Sequence, residues 1–221
     1  MVRRAAAEGV GTAFLLMAIV GSGIMAERLA GGNIALALLA NSVATGAALV
    51  ALILALVPIS GAHFNPVVTL AEAGRGVIAW REVPGYLGAQ FIGAFAGVAA
   101  AHAMFGLPMF FVSHHARSGA PLLWSEFVAA FGLLLVIFGC SRARPSAVPF
   151  AVGAYITAAY WFTASTSFAN PAVTLARAAS DTFAGIRPAD APGFIVAQLA
   201  GAAAATICFR CLLKNPSEGG T

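Results

Sequence analysis

The chain has 221 residues, 60% of them hydrophobic and only 9% charged, with a mean hydropathy of +0.89. A soluble domain carries roughly 25% charged residues, so most of this surface does not meet water, and several apolar runs approach the roughly 20 residues that cross a hydrocarbon core. The formal charge of +4 comes without any basic patch interleaved with aromatics, which argues against nucleic acid as a partner.

Six long apolar segments are predicted as membrane-spanning helices, at about 8–28, 34–57, 84–105, 121–140, 147–164 and 192–213. The first follows Met1-Val2-Arg3-Arg4 and could imitate a signal peptide, but its length and the spans behind it predict an uncleaved helix. Two shorter apolar stretches begin at Asn65 and Asn170. Ten or so residues are too few to cross a bilayer and read as re-entrant half-helices. The tail 215–221 is polar and is expected to be loose. Cys140, Cys208 and Cys211 read as reduced, buried small hydrophobes rather than a disulfide frame or a redox pair.

Basic residues set the expected orientation. If every long segment crosses once, Arg3, Arg4, Arg75, Arg81, Arg142, Arg144, Arg210 and Lys214 share one side, while Arg28, Arg117 and Arg187 share the other. An excess of Lys and Arg marks the cytoplasmic face, so both termini are expected there.

The chain also repeats itself. His63-Phe64-Asn65-Pro66-Val67-Val68-Thr69-Leu70-Ala71 matches Phe168-Ala169-Asn170-Pro171-Ala172-Val173-Thr174-Leu175-Ala176. Pro84-Gly85 leads to Gln90 and then Gly93-Ala94, and Pro192-Gly193 leads to Gln198 and then Gly201-Ala202 in the same spacing. Glu8 and Glu126 open the first and fourth spans. Residues 1–221 thus read as one domain with a first repeat over 5–110 and a second over 121–213. Three spans per copy is an odd number, so the second copy is inverted, and such folds place the solute path at the repeat interface.

Asn followed by Pro suits the head of a short helix. Proline loses nothing in a first turn, and the Asn side chain can cap free backbone N–H groups while its other end faces a pore as a donor. Two half-helices meeting head to head would each direct about half a positive charge at the midplane. That junction opposes protons and cations while passing neutral hydroxyl-bearing solutes.

With these motifs in place, the chain resembles the aquaporin and aquaglyceroporin, or major intrinsic protein, family over about residues 5–213. The resemblance rests on Asn65-Pro66-Val67, Asn170-Pro171-Ala172 and the preceding Ser60-Gly61-Ala62-His63. It implies an all-α membrane fold of six transmembrane helices and two re-entrant half-helices in an inverted 3+3 repeat, assembled as a homotetramer with one pore per chain. It implies partners limited to membrane lipid and small neutral solutes, no cofactor and no metal, and a location in the plasma membrane, the inner membrane of a bacterium. Counting from the two Asn residues, it puts an outer selectivity filter at Thr45, Ala158, Ser167 and Val173. The family's arginine after the second motif is Val173 here, and the filter count meets no large side chain, so a wide, less polar pore is expected. A bacterial subgroup with that valine is associated with arsenic resistance. This points to arsenite, methylated arsenicals or other metalloid hydroxides, with glycerol-like polyols and water as further solutes.

Other polar residues have plainer readings. Glu8 and Glu126 are expected to accept backbone N–H groups of the re-entrant loops rather than carry protons, and Gln90 and Gln198 to bond between spans. His63 and Arg177 are candidates for the pore vestibules, with loop-bonded roles open to both. His114 and His115 lack a third ligand. No nucleophile–base pair or Walker loop is present, so an enzyme is not expected. A water-selective channel and a secondary transporter remain as alternatives.

Overall fold

The computed structural model describes residues 1–213, so the polar tail 215–221 lies outside the described residues. Helices run over Val2–Leu29 (α1), Ile34–Ser60 (α2), Pro66–Gly74 (α3), Val83–Met104 (α4), Ala120–Ala143 (α5), Val148–Phe162 (α6), Pro171–Arg177 (α7) and Ala191–Leu213 (α8). Short 3-10 turns, Trp80–Glu82 and Pro145–Ala147, lead into α4 and α6. There is no strand among the described residues. Five helices are long and apolar enough to cross a membrane. The sixth, α6, has 15 residues, about 22 Å of rise, and relies on the 3-10 turn before it for additional length.

The elements α1–α4 recur as α5–α8 in inverted form. In each set the first helix packs along the last, α1 on α4 and α5 on α8, and the two sets join chiefly through α2 and α6. Arg4 at the start of α1 pairs with Glu82 before α4, and Arg210 near the end of α8 bonds the carbonyl of Gly74 at the end of α3. The start of α1 and the end of α8 therefore share one membrane face, here termed the inner face. The other face carries the loops before α5 and after α7, tied together by the backbone N–H of Arg117 on the Asp190 carboxylate.

Lipid removes the hydrophobic drive for helix association, so close packing of small residues must replace it. A Cβ on Gly93 would strike the carbonyl of Gly9, one on Gly201 the carbonyl of Phe127, and one on Gly153 the carbonyl of Gly46 at 2.6 Å. Meanwhile large apolar side chains such as Ile92 (74% exposed), Val196 and Ile207 face outward, which only a lipid surrounding accommodates. The three cysteines differ from expectation. Cys140 and Cys208 are half-buried and Cys211 is exposed, all with free thiols, because they lie on the outer faces of α5 and α8 where apolar sequence does not mean buried position.

The chain between α2 and α3, and between α6 and α7, leaves the helix inside the membrane, where unpaired backbone groups cost several kcal/mol each. Two fully buried carboxylates supply the partners. Glu8 accepts the backbone N–H groups of His63 (2.9 Å) and Phe64 (2.7 Å), the Ser60 hydroxyl and the Gln90 amide. Glu126 accepts those of Phe168 (2.9 Å) and Ala169 (2.8 Å) and the Gln198 amide. Gln90 and Gln198 reach on to the hydroxyls of Thr69 and Thr174 in the half-helices. The clamps hold a backbone that residues with side chains rarely adopt: Ala62 and Phe64, and Ser167 and Ala169, have φ near +50°, at a cost of order 1–3 kcal/mol each.

Two outcomes follow for the purified protein in detergent, read as the thermal unfolding midpoint and the yield of assembled protein. Gly201→Val, which forces α8 off α5, is expected to cost at least ~1–3 kcal/mol, while Gly88→Val, with open space around it, leaves the midpoint unchanged. Glu126→Ala strands two backbone N–H groups and an amide and is expected to cost more than ~3 kcal/mol, with Glu126→Gln intermediate.

Candidate functional site

The half-helices α3 and α7 enter from opposite faces and meet at their N-termini. Asn65 caps α3 through its side-chain oxygen on the N–H of Val67 (3.0 Å), and Asn170 caps α7 on the N–H groups of Ala172 and Val173. Each amide nitrogen also crosses the junction: Asn65 donates to the carbonyl of Ala169 and Asn170 to that of Phe64, both at 2.8 Å. One N–H of each amide is thus spent on the opposite turn, and the other faces the cavity that both residues line. Pro66 and Pro171 occupy the first helical positions. Val67 and Ala172 are fully buried in the helix contact behind the junction.

A cavity of about 690 Å³ passes this junction. One wall is apolar: Leu15 and Ile19 of α1, Leu49 and Ile53 of α2, Leu133 and Ile137 of α5, and Val152 and Ile156 of α6 line it. These are residues four apart on each helix, one stripe per helix. The other wall is the two re-entrant turns, 61–65 and 167–170, which include Asn65 and Asn170. Toward the inner face the lining includes His63, Glu72, Arg75, Ser141 and Arg142. The His63 ring is bonded to the Thr69 hydroxyl (3.1 Å), so it is both a lining residue and a loop-bonded one. Glu8, Glu126, Gln90 and Gln198 stand behind the turns and do not line the cavity.

At the outer end the cavity lining includes Thr45, Ser167 and Val173 but not Ala158. Ala158 is exposed on the outer side of α6. Helical geometry is the reason: Val152, Ile156 and Tyr160 form the lumen stripe, and a residue two positions from Ile156 is rotated about 200° away. Tyr160 takes the place, with its hydroxyl 3.3 Å from that of Thr45. The outer waist therefore does contain a large side chain, contrary to the reading that all its residues are small or aliphatic. Sequence reasoning missed Tyr160 because an ungapped count cannot locate the end of α6. The i, i+4 spacing of Val152, Ile156 and Tyr160 was the available signal. The Ser167 hydroxyl is buried and has no partner among the described residues, although Ser167 lines the cavity.

Beyond the waist, Arg177 also lines the cavity, with its Nε bonded to the carbonyl of Ala184. A second arginine, Arg117, was not singled out from sequence. It braces the same loop through the carbonyls of Gly185, Ser165 and Phe183, and its burial lowers its pKa from the ordinary arginine value. Asp190, bonded by Arg187 and by the Arg117 backbone, is held below the usual carboxylate value, chiefly by the Arg187 bond. No metal-ligand cluster occurs among the described residues.

Comparison with known proteins agrees with this geometry. A family model described as "Major intrinsic protein" matches residues 1–159. The chain is 54% identical over 214 residues to "Aquaglyceroporin AqpS" of Rhizobium meliloti (strain 1021), spanning 97% of this chain and 91% of that one. It is 35% identical over 176 residues to "Aquaporin NIP1-3" of Oryza sativa subsp. japonica, spanning 76% of this chain and 60% of the rice protein. Among solved structures, the aquaglyceroporin from Plasmodium falciparum shares the fold, with a TM-score of 0.72 over 94% of this chain and 95% of that one, at 19% identity. A stripe of helix-borne apolar side chains facing two clamped Asn-Pro turns, together with these matches, leads to one conclusion: the chain belongs to the major intrinsic protein family and is a multi-pass membrane channel, not an enzyme, for small neutral solutes.

Proposed function

We propose that the channel passes small polyhydroxylated neutral solutes, glycerol-like polyols and metalloid hydroxides such as arsenous acid, together with water, through a waist formed by Thr45, Tyr160, Ser167 and Val173. The carrying observation is the chemistry of that waist: Thr45 and Tyr160, with hydroxyls 3.3 Å apart, and Ser167 line it beside an aliphatic Val173. Hydroxyls both donate and accept, so they can exchange hydrogen bonds with solute O–H groups in either sense. Val173 takes no part in that exchange, and it occupies less room than the arginine that the family resemblance expects. The apolar stripe below the waist suits the carbon or metalloid side of a solute whose hydroxyls track the turns at 61–65 and 167–170. A relative 54% identical carries the name aquaglyceroporin, which favours the polyol part of this reading.

The same proposal sets the chain in a bacterial inner membrane with both termini in the cytoplasm, as the eight-to-three division of basic residues expects. It takes residues 1–221 as a single channel domain whose two copies run over 5–110 and 121–213, and the assembly as a homotetramer with one pore per chain.

Tyr160 is the observation that favours a narrower, water-selective pore, and one experiment separates the two. Proteoliposomes are challenged in stopped flow with sucrose, glycerol, urea and arsenous acid. The expected result is rapid re-swelling with glycerol and arsenous acid, reduced at least tenfold by Val173→Arg, with flux linear in the gradient and independent of ion gradients. Fast water efflux with no solute entry would return the protein to the water-selective class.

A further inference from the structure

Arg177 ends α7 and is only 2% exposed, yet it lines the cavity. Among the described residues its hydrogen bond is to the Ala184 carbonyl, and the ion pairs of the structure involve other residues. Its two terminal nitrogens make no hydrogen bond among the described residues and are not among the sealed, unpaired polar atoms. The guanidinium carbon sits 3.4 Å from the centroid of the Phe168 ring, and Phe168 lines the cavity as well. A buried charge with no carboxylate beside it is strongly disfavoured unless something else solvates it, and the lumen that Arg177 lines is the surrounding that can do so. Arg117 lies 5.1 Å from the same ring, but its side chain is spent on three loop carbonyls and does not line the cavity.

We infer that Arg177 is the specificity-determining cation of the outer mouth: stacked on Phe168 and anchored to Ala184, its guanidinium faces the lumen one helical turn beyond Val173 and repels entering cations. Four helical residues displace it about 6 Å from Val173 along the axis of α7. The charge is thereby separated from the waist. The waist at Val173 limits solute size without a charge, and the mouth at Arg177 carries the charge without narrowing the waist. Phe168 contributes by keeping the guanidinium flat against one wall, since arginine stacks on aromatic faces through its planar group. The inference rests on reading the cavity as the conduction path.

The test uses full-length protein in liposomes, with cation leak read from a proton-sensitive dye and from a sodium diffusion potential, and neutral flux from glycerol swelling of the same vesicles. Arg177→Gln is expected to raise cation leak at least tenfold while glycerol entry stays within about threefold of the unmodified protein. Arg177→Lys, which keeps the charge, is expected to leave the leak at its original level. A Gln variant that conducts glycerol but leaks no more than the unmodified protein overturns the inference, as does a Lys variant that leaks like the Gln variant. Should Arg177→Gln fail to assemble, Phe168→Leu, which removes the stacking platform, is expected to raise the leak severalfold, and an unchanged leak there overturns it as well. Unmodified protein that passes neither water nor glycerol would overturn the conduction reading itself, before any variant is compared.

Discussion

Backbone exposed at membrane depth governs this architecture. A pore that discriminates among neutral solutes benefits from backbone carbonyls along one wall, but a helix uses its own carbonyls, and lipid tolerates no unpaired ones. The chain meets both demands by leaving the helix only at 61–65 and 167–170 and by burying one carboxylate behind each turn. Glu8 and Glu126 pair the N–H groups of each turn from behind, while the turns themselves line the cavity. The left-handed residues at 62, 64, 167 and 169 are the backbone form of the same arrangement. The Asn residues then close the junction by capping their own half-helix and bonding the opposite turn.

Everything around that junction serves to hold two half-helices head to head against their own electrostatics. Two positive helix ends repel each other, and the arrangement persists because α1 with α4, and α5 with α8, grip the half-helices from outside. Glycine at 93 and 201 lets these pairs approach until carbonyls touch the facing helix. In lipid this close approach replaces the hydrophobic effect as the source of cohesion. The carboxylates of Glu8 and Glu126 lie behind the turns, where they also offset some of the positive potential.

The outer end departs from the simplest family expectation in a way that alters its chemistry. Tyr160 narrows a waist that a residue count had left open, and supplies a neutral hydroxyl. The positive charge missing at Val173 reappears at Arg177, nearer the mouth. On the reading proposed above, size discrimination and charge discrimination fall on different residues at different depths. Phe168 connects the two levels, since it directly precedes the second turn's Ala169-Asn170 and also supports the guanidinium.

Much of this was legible in the chain itself. Hydropathy marked the spans, and the doubled Asn-Pro motifs with their matched Glu and Gln partners revealed the inverted repeat and the role of the carboxylates, because those features depend on residue type at fixed local spacing. The family resemblance pointed to Thr45, Ser167 and Val173 by their distance from an Asn, and all three line the cavity. What the linear pattern could not supply was direction. Ala158 and Tyr160 are two residues apart, and only the rotation of α6 against its neighbours decides which one meets the lumen. Cys140 and Cys208 sit in apolar runs yet lie partly on the outer surface, because hydropathy is the same toward lipid as toward the core. Arg117 and Arg177 meet at Phe168 although 60 positions separate the two arginines in the sequence. Local composition determined which segments enter the membrane; the packing of helices against each other decided which side chains face the pore, since that orientation arises from contacts between residues remote in sequence.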